Sequence, residues 1–377
     1  MTTDYPLIIP TPSGYQFAQK VSRHLVEKYL PERGIKDADP WVPTRVTVFA
    51  DGDKKVKILR HIRDRDVYII GDMYSTATML PHPWYGAGGY RVTMDAAFYG
   101  VHNEAGPIEL VPHRLPVDVN FAIFLSTIEA AKGAAKVRRV TAVLPCFPSA
   151  RQDKRDGRES LDLKLRMDLL RTAGVDHVLT IDIHNASAEL GAAGMAYDSL
   201  NSVPHIRKYL ASRDLQNAFF LAPDDNSLSR NRVYSRECGA AVRAMDKERS
   251  TSEPNKILES HPTCDPCEFR DKDVFSVDDL LDTAGTMEKA VRFVMENGAK
   301  SFTMIATHGV CSYPCWTRLE ELHEKKLLRE LAITDSVTHG NLPECCVVLT
   351  VSKYFAKVID HLNQGESISH LLRSEET

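Results

Sequence analysis

Val277-Asp278-Asp279-Leu280-Leu281-Asp282-Thr283-Ala284-Gly285-Thr286 reads as a β-strand that ends in two carboxylates, a short polar turn, and a helix that opens directly out of the turn. The first N–H groups of a helix have no acceptor inside it, so Thr283, Gly285 and Thr286 offer backbone donors and hydroxyls at a ready phosphate cradle. Asp278 and Asp279 fall where the hydroxyls of a ribose would lie. Taken alone, the same residues also read as an ordinary capped turn with two solvated aspartates.

On both sides of this segment, short β-rich runs alternate with helical patterns. Val46–Phe49, Val67–Ile70, Val140–Leu144, Val178–Ile181, Ala218–Leu221, Val274–Val277, Phe302–Ala306 and Val347–Val351 read as buried strands. Phe121–Ala135, Leu161–Ala173 before Gly174, and Thr286–Glu296 before Gly298 read as helices, the glycines being good helix stops. Such alternation predicts an α/β fold with mostly parallel sheets, whose ligands sit beyond the carboxyl ends of the strands. The helix containing Gly133, strand Val140–Leu144 and its polar loop resemble helix 286–296, strand Phe302–Ala306 and Thr307-His308-Gly309. That hint of duplication predicts two domains, 1–192 and 193–377.

Two segments break the pattern. Residues 80–114 mix Pro81, Pro83, Gly86, Gly88 and Gly89 with Trp84, Tyr85, Tyr90, Phe98 and Tyr99. Flexible linkers lack aromatics, so this reads as an ordered insertion or hairpin. Asp246–Arg270 is highly charged, carries Pro254, Pro262 and Pro266, and reads as a mobile surface loop.

Other polar groups follow the predicted strands. Arg151-Gln152-Asp153-Lys154-Arg155 comes after Val140–Leu144, where cations clamp a polyphosphate and Gln152 hydrogen-bonds a base or phosphate. His184 leaves the strand Val178–Ile181, a place for a metal ligand or for a structural histidine. Asp224 follows Ala218–Leu221 and suits Mg²⁺, which takes few protein ligands and many phosphate oxygens. Lys247 and Arg249 stand two residues apart at the start of the charged loop, an arm able to close over a transferring phosphoryl group.

The 377 residues suit two medium domains, and 43% hydrophobic with 26% charged residues is the balance of a globular chain. A net charge of -4 argues against a nucleic-acid partner. There is no apolar run of about 18 residues to span a membrane and no basic-then-apolar leader, so a cytoplasmic setting is expected. Eight cysteines then read as reduced thiols. The spacings Cys264/Cys267 and Cys311/Cys315 are read as small buried hydrophobes or surface thiols rather than a zinc site.

The order of these signals, from phosphate clamp through histidine, aspartate and cationic arm to acid-rich phosphate loop, resembles the ribose-phosphate diphosphokinases, or phosphoribosyl diphosphate synthetases. The resemblance runs from about Gly14 to Leu371 and includes Phe49-Ala50-Asp51-Gly52-Asp53, helix Asp162–Ala173 with Gly174, Thr307-His308-Gly309 and Gly365-Glu366-Ser367. It implies two tandem Rossmann-like domains of the phosphoribosyltransferase type, packed as homo-oligomeric dimers or hexamers. It implies that Arg151 and Gln152 hold ATP, with Phe49, Asp51 and Asp53 meeting the adenine, from a neighbouring subunit. It implies that His184 and Asp224 hold Mg²⁺ on the ATP phosphates and that Lys247 is the catalytic cation, with Arg249 beside it. Asp278 and Asp279 would meet the ribose, and Asp282, Thr283, Ala284, Gly285 and Thr286 would grip the 5-phosphate of ribose 5-phosphate.

The sequence departs from the family pattern at several points. After Asp224 the usual two glycines are replaced, giving Asp225-Asn226-Ser227-Leu228-Ser229-Arg230-Asn231. Gly191-Ala192-Ala193-Gly194 stands where Gly-Phe-Phe-Asp is usual, and Asp53 replaces a glutamate. Three other readings stand beside the synthetase: a phosphoribosyltransferase, a non-catalytic regulatory relative, and a diphosphokinase for a larger ribose 5-phosphoryl compound such as ADP-ribose. The 151–155 loop and Lys247 speak against the first, and retention of the candidate site residues against the second.

Overall fold

The computed structural model describes the chain apart from residues 1–4, 50, 52, 82–91, 94–108, 186–190, 192–193, 224, 250–256, 263–264 and 373–377. It contains two compact units. The first comprises residues 1–201, 336–340 and 351–377; the second comprises 202–335 and 341–350. These compact units follow packing rather than chain order, since residues 336–340 and 351–377 belong to the first.

In the first unit, β1 (Leu7–Pro10) leads to helix α1 (Tyr15–His24), then to β2 (Thr44–Val48), β3 (Lys54–Ile58) and β4 (Asp66–Ile70). β5 (Thr78–Pro81), β6 (Val92–Thr93) and β7 (Glu109–His113) precede helix α2 (Val117–Glu129), β8 (Arg139–Val143), helix α3 (Asp162–Ala173), β9 (His177–Ile181) and β10 (Ala196–Leu200). The main sheet is entirely parallel, in the order β1-β4-β8-β9-β10. β4 and β9 are buried at every residue, because helices cover both faces of such a sheet and a strand there has no solvent side. Gly174 ends α3 at φ 98°, a conformation in which a Cβ would be strained.

One expectation changes here. Val46–Phe49 is not a strand of the main sheet, since β2 pairs antiparallel with β3 in a separate two-stranded hairpin. The exposed charges of β3 could not face a core on both sides: Lys55 and Lys57 point to solvent. Within the 80–114 segment, the described strands form a three-stranded antiparallel sheet in the order β5-β7-β6; the aromatic residues Trp84, Tyr85, Tyr90, Phe98 and Tyr99 lie outside the described residues.

In the second unit, helix α4 (Val203–Ala211), β11 (Ala218–Ala222) and helix α5 (Asp225–Cys238) lead to β12 (Ala241–Arg249) and β13 (Ile257–Pro262). Then come β14 (Asp273–Leu281), helix α6 (Gly285–Glu296), β15 (Ser301–Gly309), helix α7 (Cys315–Glu324), β16 (Glu330–Thr334) and β17 (Cys346–Leu349). The sheet order is β13-β12-β11-β14-β15-β16-β17, parallel except for β13. Helix α6 buries Met287, Ala290, Val291 and Val294, the spacing of one helical face. Within Asp246–Arg270, expected as a mobile loop, the described residues of β12 and β13 instead form an antiparallel ribbon, with Lys247 in register with Ser260; residues 250–256 and 263–264 lie outside the described residues. Cross-strand hydrogen bonding needs no hydrophobic alternation, so composition hid these strands.

Helix α8 (Ser352–Gln364) returns the chain to the first unit and packs on α1, with the Phe17 and Phe355 rings edge to face at 5.2 Å. Val21, Leu25, Val358 and Ile359 complete that contact.

Candidate active site

The strand order of the second unit reverses at β11. The chain runs from β11 through α5 to β12 on one side, and β14 then joins the other side of β11. Such a reversal leaves a crevice at the carboxyl ends of the two strands that diverge, because their connections leave in opposite directions. The registers show where it opens. β11 pairs with β14 only as far as Phe220 and Phe275, whereas β14 continues beside β15 to Leu281 and Gly309. Asp278 and Asp279 therefore lie on the free stretch of β14, past the end of its pairing with β11. Asp279 is buried and its N–H donates to Asp278 Oδ1 at 2.9 Å.

The turn 282–284 carries the chain from β14 into α6. Ala284 caps the helix in the left-handed region, at φ 60° and ψ 9°. Left-handed backbone costs an L-residue about 1 kcal/mol. Asp282 is half-buried, Thr283 is exposed, and Gly285 and Thr286 begin the helix.

A residue that sequence reading missed holds this turn. Arg318 of α7 donates from Nη1 to the Thr283 carbonyl at 2.7 Å and pairs through Nε with Glu288 at 3.2 Å. Glu288 in turn pairs with Arg292 one helical turn on, at 2.8 Å. A Cβ on Gly285 would come within 3.1 Å of Arg318 Nη1, so the glycine admits the guanidinium close to the loop. No local signal marks Arg318, which is 35 residues away from its acceptor.

β12 runs beyond the end of β11: their register closes at Ala222 and Ala244, and residues 245–249 pair with β13 alone. Lys247 and Arg249 thus stand on a ribbon that continues past the carboxyl edge of the sheet. Asp224 lies outside the described residues.

The first unit carries a second set at the carboxyl ends of β8 and β9. After β8, Ser149 turns left-handed at φ 58°, its N–H donates to the Tyr74 hydroxyl at 3.2 Å, and its hydroxyl accepts from Arg166 Nε at 2.8 Å. The Gln152 N–H closes the turn onto the Ser149 carbonyl at 2.9 Å, leaving Arg151 and Gln152 exposed. After β9, Asp182 is left-handed at φ 43° and His184 is exposed. The Asn185 amide donates to Asp153 at 2.5 Å, so the 151–155 loop and the His184 loop are tied together. Phe49, Asp51 and Asp53 sit at the tip of the β2–β3 hairpin, closed by the Phe49 N–H on the Asp53 carbonyl at 2.8 Å and the Asp53 N–H on Asp51 at 3.0 Å. Phe49 is 48% exposed there.

Cys311 and Cys315 are buried in the core of the second unit, where the hydrogen bond with the Cys315 thiol, and then burial, push the Cys311 thiol far up. Among the described residues no group of three or more His, Cys, Asp or Glu side chains is arranged to hold a metal ion. No helix among them is long and apolar enough to cross a membrane.

The fold and these sites define a protein with two phosphoribosyltransferase-type domains. Residues 90–174 match the N-terminal domain of ribose phosphate pyrophosphokinase and residues 193–332 match the phosphoribosyl transferase domain. A ribose-phosphate pyrophosphokinase of Porphyromonas gingivalis is 30% identical over 357 residues, 94% of this chain and 96% of that protein. Ribose-phosphate pyrophosphokinase 3 of Saccharomyces cerevisiae is 33% identical over 254 residues, 66% of this chain and 76% of that protein. The chain belongs to the ribose-phosphate pyrophosphokinase family. A crystal structure of phosphoribosylpyrophosphate synthetase from Mycobacterium smegmatis has the same fold, with a TM-score of 0.73 at 22% identity, covering 96% of this chain and all of that one.

Proposed function

We propose that the protein transfers the β,γ-diphosphate of ATP to the 1-hydroxyl of ribose 5-phosphate, giving phosphoribosyl diphosphate and AMP. The observation that carries this is the complete Asp278–Thr286 segment, placed where β11 and β14 part and opening helix α6 through a left-handed residue. A terminal phosphate dianion satisfies the donors of that turn, while Asp278 and Asp279 receive the sugar hydroxyls.

In this reading Arg151 and Gln152 bind ATP from the loop tied to Asn185, and Phe49, Asp51 and Asp53 meet the adenine of a neighbouring subunit in a homo-oligomer. His184 and Asp224 are the protein's share of a Mg²⁺ that arrives on the ATP; the exposure of His184 at the end of β9 leaves it open to a phosphate-bound cation. When bound, Mg²⁺ neutralises charge on the phosphate oxygens. The anomeric oxygen attacks the β-phosphorus, the bond from that phosphorus to the α,β-bridging oxygen breaks, and AMP leaves. The hydroxyl proton passes to solvent. Such a transfer needs positioning and charge more than a strong base, and Lys247 with Arg249 supplies the cations that meet the developing charge. We place this activity in the cytoplasm. The test is nucleotide product analysis with Mg²⁺, ATP and ribose 5-phosphate. AMP released in step with phosphoribosyl diphosphate is expected; ADP as the only nucleotide product refutes diphosphoryl transfer, and a higher kcat/KM for ADP-ribose refutes the sugar assignment.

A further inference from the structure

Where β11 stops beside β14, one side chain continues its work. Asn231 on α5 is fully buried, and its carboxamide makes the two hydrogen bonds of a missing strand. The Val277 N–H donates to Asn231 Oδ1 at 3.0 Å, and Asn231 Nδ2 donates to the Val277 carbonyl at 2.7 Å. Val277 is two residues beyond Phe275, the last residue of β14 that pairs with β11, so it is the next in phase along that edge. The remaining Nδ2 hydrogen reaches the Ser227 carbonyl at 2.9 Å, in the first turn of α5. Both Nδ2 donors and one lone pair of Oδ1 are thereby used in one orientation, and a flipped amide would set donor against donor at the Val277 N–H and acceptor against acceptor at the Val277 carbonyl. A single side chain thus joins the start of α5, which follows β11, to the residue directly preceding Asp278 and Asp279.

We propose that Asn231 is the positioning residue of the sugar-side carboxylates: it substitutes for a strand peptide at the strand reversal and fixes where Asp278 and Asp279 stand. An unsupported strand end at that point splays or frays, because its buried N–H and C=O seek water. The carboxylates one and two residues on would move with it. The role of Asp278 and Asp279 toward ribose 5-phosphate rests on the function proposed above; the hydrogen-bonding role of Asn231 does not.

Two measurements test this. In the unsubstituted protein, the Val277 amide should exchange with solvent as slowly as that of Phe275, although no strand pairs with it from that side; fast exchange at Val277 overturns the strand-substitute role without any reference to activity. In Asn231→Ala, KM for ribose 5-phosphate should rise about ten-fold while KM for ATP stays within about two-fold, and Val277 should lose its protection. Equal rises in both KM values, or no rise in either, overturn the positioning role. If Asn231→Ala does not fold, Asn231→Asp carries the same comparison, because it keeps the shape and the acceptor while setting a carboxylate against the Val277 and Ser227 carbonyls. A protein whose Val277 is protected but which never turns over ribose 5-phosphate retains the structural role of Asn231 and loses the function proposed for the site.

Discussion

Asp72 makes the stability of the first unit depend on pH. It follows β4 and is buried to 1% exposure. Its two oxygens accept backbone N–H groups, Oδ1 from Tyr74 at 3.1 Å and Oδ2 from Thr338 at 2.6 Å, the latter 266 residues away in sequence. Burial penalises the charged form and outweighs these donors, which favour it, so the carboxyl is pushed up from 3.8 to about 7. Its folded value lies above its unfolded one, so the folded state holds the proton longer. Stability is therefore highest when the group is protonated in both states, and it falls as pH rises from about 4 to about 7, then levels off. With the two values above, the unfavourable contribution grows by about 2–3 kcal/mol between pH 5 and pH 8. For a unit of this size that corresponds to roughly 5–10 °C in Tm. Asp72→Asn removes the titration; it also turns an amide N–H₂ toward one backbone donor, a penalty that does not change with pH. The informative quantity is thus the difference in unfolding free energy between Asp72→Asn and the unsubstituted protein, measured by urea denaturation at pH 5 and pH 8. The variant should gain about 2–3 kcal/mol relative to the unsubstituted protein across that range. A difference constant to within about 0.5 kcal/mol would show that Asp72 titrates normally and that the donors win over burial.

Arg318→Met should raise KM for ribose 5-phosphate about five-fold with little change in Tm, since a side chain 33% exposed contributes only about 1 kcal/mol after solvent screening; an unchanged KM would show that the 282–286 turn holds itself. Lys247→Ala should lower kcat by about 10²–10³ with the fold intact, as expected for a cation that acts mainly in the transition state, and near-normal turnover removes it from the mechanism. Phe49→Ala should raise KM for ATP about ten-fold without lowering Tm, because a ring half in solvent contributes little to the folded monomer; an unchanged KM for ATP separates the hairpin tip from the nucleotide.

The α/β class and most strands of the two mostly parallel sheets were legible in the sequence, because a strand covered on both faces is a nearly continuous apolar run. Val178–Ile181 and Ala218–Leu221 show this: every residue of both is buried. The 278–286 segment was equally legible, since strand, turn and helix are contiguous and their chemistry is local. The ribbon Ala241–Arg249 with Ile257–Pro262 was not, for its charged residues pair through the backbone, which composition does not report.

The chain's local units were therefore written in its own residues: apolar strands, amphipathic helices, and a strand–turn–helix segment over 278–286. Tertiary structure alone decided which distant groups complete them. It brought Arg318 to the Thr283 carbonyl, Asn231 to Val277, Asp153 to Asn185, and Thr338 to Asp72. It also folded helix Ser352–Gln364 back onto the first unit. The reason is physical: secondary structure follows from the periodicity of neighbours along the chain, whereas a hydrogen bond between residues tens or hundreds of positions apart exists only once the packing of the sheets has brought its donor and acceptor together.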